Sequence, residues 1–314
     1  MRVVFMGTPE FAVPSLEMLL KSDDEVVGVV TQPDRPKGRG QQLSPSAVKV
    51  IAQREQLPLL QPTKMKDPGF VAELSAWKPD LIAVAAFGRI LPPAILVLPP
   101  RGCINVHGSL LPKYRGAGPI QWALINGETE TGITTMLMDE GMDTGAMLLQ
   151  ESMAIRPDDT AGTLSPRLGE LGGRLLIETL AQLKAGTLTP RVQDHSQATM
   201  APLLRKEDGL INWAMSATSI ANRIRGLSPW PGAYTFLKGE RWTICRATVD
   251  DGATKASPGQ IIAITKDAMH VATGRGALAI RELQPANSRR MPVAQYLTGH
   301  SLEIGMQLSR SPAL

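Results

Sequence analysis

Cysteine is scarce in this chain: Cys103 and Cys245 are the only two in 314 residues, and they lie far apart. Two such thiols exclude a disulfide framework and a cysteine-based zinc site, and both are expected to be reduced and packed inside. Histidine is almost as rare, with four scattered residues and no His-Glu-x-x-His, so no metal centre is expected. No apolar run reaches the roughly 18 residues that a transmembrane helix needs. The opening MRVVFMGTPEF enters a strand directly, with no basic segment followed by an apolar one. No secretory leader is therefore expected, and the chain reads as cytoplasmic. Sustained heptads are missing too, which points to a monomer. The common phosphate and nucleophile motifs are also absent. GTPEFAVPSL follows the first strand where a dinucleotide-binding G-x-G-x-x-G would stand, and neither G-x-x-x-x-G-K-[ST] nor G-x-S-x-G occurs.

What the chain does carry is a split in charge. Residues 1–204 hold 19 Lys and Arg against 21 Asp and Glu, a balance of −2; residues 205–314 hold 14 against 8, a balance of +6. A basic C-terminal third suggests a polyanionic partner. The hydrophobic pattern changes at about the same place. Before it, apolar β-branched runs such as RVVFM, EVVGVVT, DLIAVAA, CINVH and ITTMLM alternate with helical patterns. Strands that are apolar throughout are buried on both faces, which predicts a doubly wound, mostly parallel, Rossmann-like α/β sheet. A long helix is expected over residues 163–186, closed by Gly186. After a polar, irregular stretch come a helix over 216–227 and then the short runs AYTFL, RWTICRATV, GQIIAIT, AMHVAT and ALAIRELQ, separated by turn residues. That spacing predicts a small antiparallel, OB-like β-barrel. The expected organisation is a catalytic domain over 1–189, a linker over 190–208 and the barrel domain over 209–314.

The chemistry is expected at the end of CINVH. A strand has period two, so Asn105 and His107 project to one face. They sit at the carboxyl end of a parallel strand, where open α/β sheets bind their ligands. An amide NH2 and an imidazole suit a reaction that passes through an oxyanion. The following GSLLPKYRGAG is rich in glycine and proline, so its backbone can approach a ligand closely. A carboxylate beside His107 would favour the charged ring and fix its tautomer. MDEGMDTG supplies Asp139, Glu140 and Asp143 at another strand end, and the pattern alone leaves open which of them reaches the ring. The polar loop DRPKGRGQQLSPS, residues 34–46, lies on the same ligand side; it reads either as a solvated loop or as an arm that grips phosphate.

Together, Asn105, His107, the run HGSLLPKYRG and Asp143 within MDTG resemble the folate-dependent formyltransferases. FMGTPEFAVPSL, VVTQPDRPKGRGQQL and RGAGPIQWAL extend the resemblance, and SPWPGAY and PANSRRM carry it more loosely towards the C-terminus. It implies transfer of a formyl group from 10-formyltetrahydrofolate, with Asn105, His107 and Asp143 as the catalytic trio. It implies folate contacts from Ser109, Leu110, Leu111 and Pro112, and from Phe87, Gly88, Arg89 and Ile90 of FGRIL. It also implies that the acceptor is the α-amine of methionine on initiator tRNA, gripped through Arg35, Lys37 and Arg39. The trio is common to the family and identifies the donor. An amino sugar nucleotide or water as acceptor, or an RNA-binding protein on a degenerate transferase fold, remain the alternatives.

Overall fold

Strands without polar alternation need cover on both faces, and the helices between them supply it. The computed structural model describes residues 1–37, 42–250, 252 and 254–312, the side chains of Lys37 and Gln42 excepted. The chain forms two units. One comprises Met1–Pro119, Glu130–Ala154 and Ser165–Pro202; the other comprises Ile120–Thr129, Ile155–Leu164 and Leu203–Leu314. Residues 190–202, part of the stretch expected as a linker, thus belong to the first unit.

In chain order the elements are β1 (Arg2–Gly7), α1 (Val13–Leu20), β2 (Glu25–Val30), the hairpin β3 (Arg35–Lys37) and β4 (Gln42–Ser44), α2 (Ala47–Arg54), β5 (Leu59–Leu60) and α3 (Pro68–Ala76). There follow β6 (Leu81–Ala85), α4 (Pro93–Leu96), β7 (Cys103–His107), α5 (Pro119–Ile125), β8 (Glu130–Leu137), β9 (Met147–Ala154) and α6 (Ala161–Ala185). The sheet of the first unit has the order β5-β2-β1-β6-β7-β8-β9. Pairings from β5 to β7 are parallel. β7–β8 and β8–β9 are antiparallel, so the run ITTMLM is a strand that runs against β7. β1 leads to β2 on one side while β6 adds on the other, which opens a crevice at the carboxyl ends of the central strands.

Local signals set the helix ends. Ser46 caps α2 by accepting from the Lys49 N–H, and Asp67 caps α3 by accepting from Gly69 and Phe70, with Pro68 in the first turn. Gly186, at φ +70°, follows α6 in the left-handed conformation expected of a helix stop. One face of the sheet packs Val4, Met6, Ile82, Val84 and Cys103 against Phe70 and Leu74 of α3 and Ile95 of α4. The other meets α6 at close range: a Cβ on Gly172 would lie 2.7 Å from the Val106 Cγ1. Alternation along β7 therefore sends Asn105 and His107 to the same side as Cys103, away from α6.

In the second unit α7 (Ala217–Gly226) precedes β10 (Ala233–Leu237), β11 (Glu240–Asp250), β12 (Ile261–Ile264), β13 (Met269–Ala272), β14 (Ala277–Pro285), β15 (Met291–Pro292), α8 (Val293–Gly299) and β16 (Leu308–Ser309). The sheet is antiparallel in the order β12-β13-β14-β11-β10-β16, with β15 on β14. It curls until its ends meet. The Ile261 N–H donates to the Met306 carbonyl at 2.8 Å, and the Leu308 N–H donates to the Gly259 carbonyl at 2.8 Å. Trp242 fills the interior with Ile244, Leu278, Ile280 and Leu283, and Ile220 and Ile224 of α7 pack on this core. No described helix is long and apolar enough to cross a membrane.

Candidate active site

His107 ends β7 with only 5% of its surface exposed. Its Nε2 lies 2.9 Å from the Tyr114 carbonyl oxygen. A carbonyl can only accept, so this contact assigns the proton to Nε2 and leaves Nδ1 as the nitrogen free to gain or lose one. Nδ1 faces Asp143 Oδ2 at 3.6 Å. Asp143 Oδ2 also accepts from the Gly116 N–H at 2.8 Å, and Oδ1 receives a long contact, 3.4 Å, from the Asn105 Nδ2. One carboxylate thus meets the imidazole, the amide and a backbone donor.

Asp143 arrives there because of how its loop returns. β8 is antiparallel to β7, so it ends beside the start of β7, where the Met138 N–H donates to the Cys103 carbonyl at 2.8 Å. The loop then comes back to the end of β7, with Asp143 at φ +53°, a conformation that aspartate tolerates better than most residues. Of the other two acids, Asp139 accepts from the Gly141 N–H and the Thr144 hydroxyl within its own turn, and Glu140 is exposed. Gly116, at φ +120°, is required by space as well as conformation, since a Cβ there would lie 2.7 Å from the Ala201 carbonyl oxygen.

The expected folate run divides by burial. Ser109 is fully buried and its hydroxyl donates to the Lys113 carbonyl at 2.6 Å. The Leu111 side chain packs with Met136 and Met147. Its N–H donates to the Thr134 hydroxyl at 3.0 Å, and its carbonyl accepts from Gln150 Nε2 at 2.8 Å. Leu110 and Pro112 are half-buried. In the other run, Phe87 is buried in the core below the sheet, while its carbonyl accepts from Thr8 Oγ1 and from Gln32 Nε2 at 2.7 Å. Gly88 turns at φ +74°, where a Cβ would lie 2.6 Å from Gln32 Nε2. Arg89 donates to the Thr63 carbonyl, and Ile90 is 75% exposed.

The basic arm is the β3–β4 hairpin, in which Arg35 pairs with Ser44 and Lys37 with Gln42. Arg35 is exposed and donates to Gln32 Oε1 at 2.6 Å. Arg39 lies outside the described residues. A groove of about 430 Å³ runs beside this hairpin, lined by Thr8, Gln32, Arg35, Ser46 and Ala86 among others. The sequence reading missed Thr134, Gln150, Gln32 and Gln193, each of which acts on a loop far from it in the chain; polar residues in strands were the one available sign for Thr134 and Gln150. Among the described residues no three His, Cys, Asp or Glu side chains are grouped to hold a metal.

Cys103 begins β7 but takes no part in this chemistry. Its thiol is 1% exposed and burial pushes it up to about 12. In the folded protein it is expected to resist iodoacetamide at pH 8, and to react at the ordinary rate once urea exposes it. Mass spectrometry of alkylated peptides reads this directly; rapid native labelling of Cys103 would contradict the packing of β7 against α4.

Comparison with known proteins identifies the family. Residues 1–180 match the family model described as Formyl transferase, and residues 203–301 match the one described as Formyl transferase, C-terminal domain. The chain is 53% identical to a methionyl-tRNA formyltransferase of Trichlorobacter lovleyi, over 98% of this chain and 96% of that one. It is 49% identical to that of Geobacter sulfurreducens, over 99% and 98% respectively. The fold is shared with an N-formyltransferase from Helicobacter canadensis solved with folinic acid and dTDP-3-aminofucose: TM-score 0.67, 19% identity, 93% of this chain and 100% of that one. It is also shared with HypX from Aquifex aeolicus, solved with tetrahydrofolic acid, at TM-score 0.62 and 17% identity. That match covers 98% of this chain, which spans only half, 50%, of the HypX chain. The chain belongs to the formyl transferase family of formyl-transferring enzymes.

Proposed function

We propose that the chain transfers the formyl group of 10-formyltetrahydrofolate to the α-amine of methionine esterified to initiator tRNA, in the cytoplasm, giving the N-formylmethionyl-tRNA of translation initiation. The observation that carries this reading is the meeting of Asn105, His107 and Asp143 at the end of β7. It occurs in a chain about half identical, nearly end to end, to proteins named methionyl-tRNA formyltransferase.

The residues present suit the folate. At the ends of the neighbouring parallel strands β6 and β7, Ile90, Leu110 and Pro112 leave apolar surface uncovered, and Arg89 brings a guanidinium. Ser109, Leu111 and Phe87 would shape the folate site from beneath, since their side chains are buried and their backbone groups are held by Thr134, Gln150, Thr8 and Gln32. 10-Formyltetrahydrofolate supplies the formyl carbon and leaves as tetrahydrofolate.

The protein's own groups then have these roles. The neutral amine of methionine attacks the formyl carbon, and the negative charge that builds on the formyl oxygen is held by the Asn105 amide and the protonated Nδ1 of His107. The Asp143 carboxylate, which faces Nδ1 and the Asn105 amide, accepts the proton shed by the attacking amine. As the bond from carbon to the folate nitrogen breaks, Asp143 passes that proton on to the nitrogen, so the site ends in its starting state. Tyr114 keeps the ring turned by accepting from Nε2. The first unit is the catalytic one on this reading, and the second, whose residues 205–314 carry a balance of +6, meets the tRNA together with the β3–β4 hairpin.

The test offers the protein 10-formyltetrahydrofolate with methionyl initiator tRNA, with an amino sugar nucleotide and with water alone. Formyl is expected on the methionyl-tRNA at a rate at least about 100-fold above either rival, since a site that leaves a buried polar group unpaired rejects the wrong substrate strongly. Preferential formylation of the sugar amine, or hydrolysis alone, would overturn the acceptor assignment.

A further inference from the structure

We propose that Gln193 is a positioning residue for formyl transfer, acting with Arg115 as a clamp that sets the distance between His107 and Asp143. Gln193 lies in the polar stretch expected to be a linker. That stretch instead lies along the site. Arg191 and Met147 exchange backbone hydrogen bonds of 2.8 Å. The Arg115 N–H donates to the Thr199 carbonyl at 2.8 Å, and the Ala201 N–H donates to the Arg115 carbonyl at 2.7 Å.

Between these ties the Gln193 side chain is only 2% exposed. Its Nε2 donates to two backbone carbonyls, those of Asp143 and Gly145, each at 2.8 Å. Its Oε1 accepts from Arg115 Nε at 3.1 Å and from Nη2 at 2.7 Å. The amide cannot be turned over, because that would set its oxygen against two carbonyls and its NH2 against a guanidinium. Arg115 is itself 6% exposed, and its Nη2 also donates to His195 Nδ1 at 3.0 Å.

The backbone groups around this side chain are the ones that aim the reacting pair. Arg115 stands between Tyr114, whose carbonyl turns His107, and Gly116, whose N–H holds Asp143. Gln193 joins Arg115 to the carbonyl of Asp143 itself, the residue in the left-handed conformation. One side chain therefore ties the loop that orients the imidazole to the loop that carries the acid. Without its amide donors, two buried carbonyls lose their partner, and they regain one by moving apart towards water. That movement draws Asp143 away from Nδ1, and displacements near 1 Å at a reacting group cost about 100-fold.

Gln193→Glu separates the two halves of the clamp, since it keeps an acceptor for Arg115 and removes the donors to both carbonyls. Its kcat is expected to fall about tenfold to 100-fold, with KM for both substrates within about twofold and a lowered unfolding midpoint, since two carbonyls lose their donor. In an Asp143→Asn background the same change should cost less than about twofold, because the carboxylate it positions is gone. A packing role alone would give a kinetic penalty that multiplies with that of Asp143→Asn. The kinetic arm rests on the proposed reaction, whereas a second arm does not. In the 15N spectrum of histidine-labelled protein, the His107 imidazole signals should move in Gln193→Glu while those of His270 and His300 stay. An unmoved His107 spectrum overturns the clamp whatever the rates, and so does a penalty undiminished by Asp143→Asn. A wild type that fails to formylate methionyl-tRNA overturns the acceptor assignment and leaves the spectral test intact.

Discussion

Alanine at His107 is expected to slow formyl transfer by about 1,000-fold, within the 100- to 10,000-fold that general acid–base groups contribute. The unfolding midpoint should move little, since β7 keeps its pairing on both sides. Two functions are lost at once: the Nδ1 donor to the developing oxyanion and the group through which Asp143 is coupled to the reaction. Asn105→Ala removes a donor alone, for which about 100- to 1,000-fold is typical. Asp143→Ala should fall in the same range as His107→Ala, and it also leaves the Gly116 N–H without its acceptor. Asp143→Asn is the cleaner variant because it removes the charge and keeps an oxygen for Gly116, at the loss of the long contact to the Asn105 amide. If the trio works as one unit, the double variant His107→Ala with Asp143→Ala should be hardly slower than either single one. Single-turnover formylation measured beside thermal unfolding checks all of this. Near wild-type turnover in His107→Ala would remove the imidazole from the reaction.

The parts of this site that the sequence makes legible are those with local periodicity. Asn105 and His107 share a face because strand alternation is two residues long, and Val3–Gly7 and Leu81–Ala85 are buried throughout because sheets covered on both faces leave no polar positions. Five strands of the second unit announce themselves by spacing, and α6 runs within two residues of its expected bounds. Direction is another matter. The run ITTMLM has the same composition whether it lies parallel or antiparallel to β7, and only the antiparallel pairing shows why Asp143 has to travel back along a loop to reach His107. The choice among Asp139, Glu140 and Asp143 depends on that loop, whose conformation is set by Gly116 and Gln193, 27 and 50 residues away. Residues 190–202 carry no apolar pattern at all. Their place against the first unit comes from backbone pairing and one buried amide, which composition cannot distinguish from a solvated tether. β16 and α8 were missed for a simpler reason: two and seven residues are too short for a period to register.

Salt should discriminate between acceptors more sharply than any single substitution. Each phosphate neutralised by a cation contributes nearly one unit to the slope of log affinity against log salt. The formal excess of +6 in residues 205–314 overstates the cations on offer. Glu282 is engaged by Arg246 and Arg290, and Arg281 is paired with Asp267. If three phosphates are met in all, raising monovalent salt from about 50 to about 200 mM should raise the acceptor KM about 40-fold, provided that KM follows dissociation. An amino sugar nucleotide presents two phosphates and no extended polyanion, and water presents none, so neither would give such a slope. Arg35→Ala and Arg39→Ala should each lower the slope by about one unit. They should leave hydrolysis of 10-formyltetrahydrofolate in the absence of acceptor unchanged, because that reaction needs only the groups at the end of β7. A KM for methionyl-tRNA that stays level across this range would sink the electrostatic account of acceptor binding. A slope that survives loss of both arginines would locate the phosphate contacts in the second unit instead of on the hairpin.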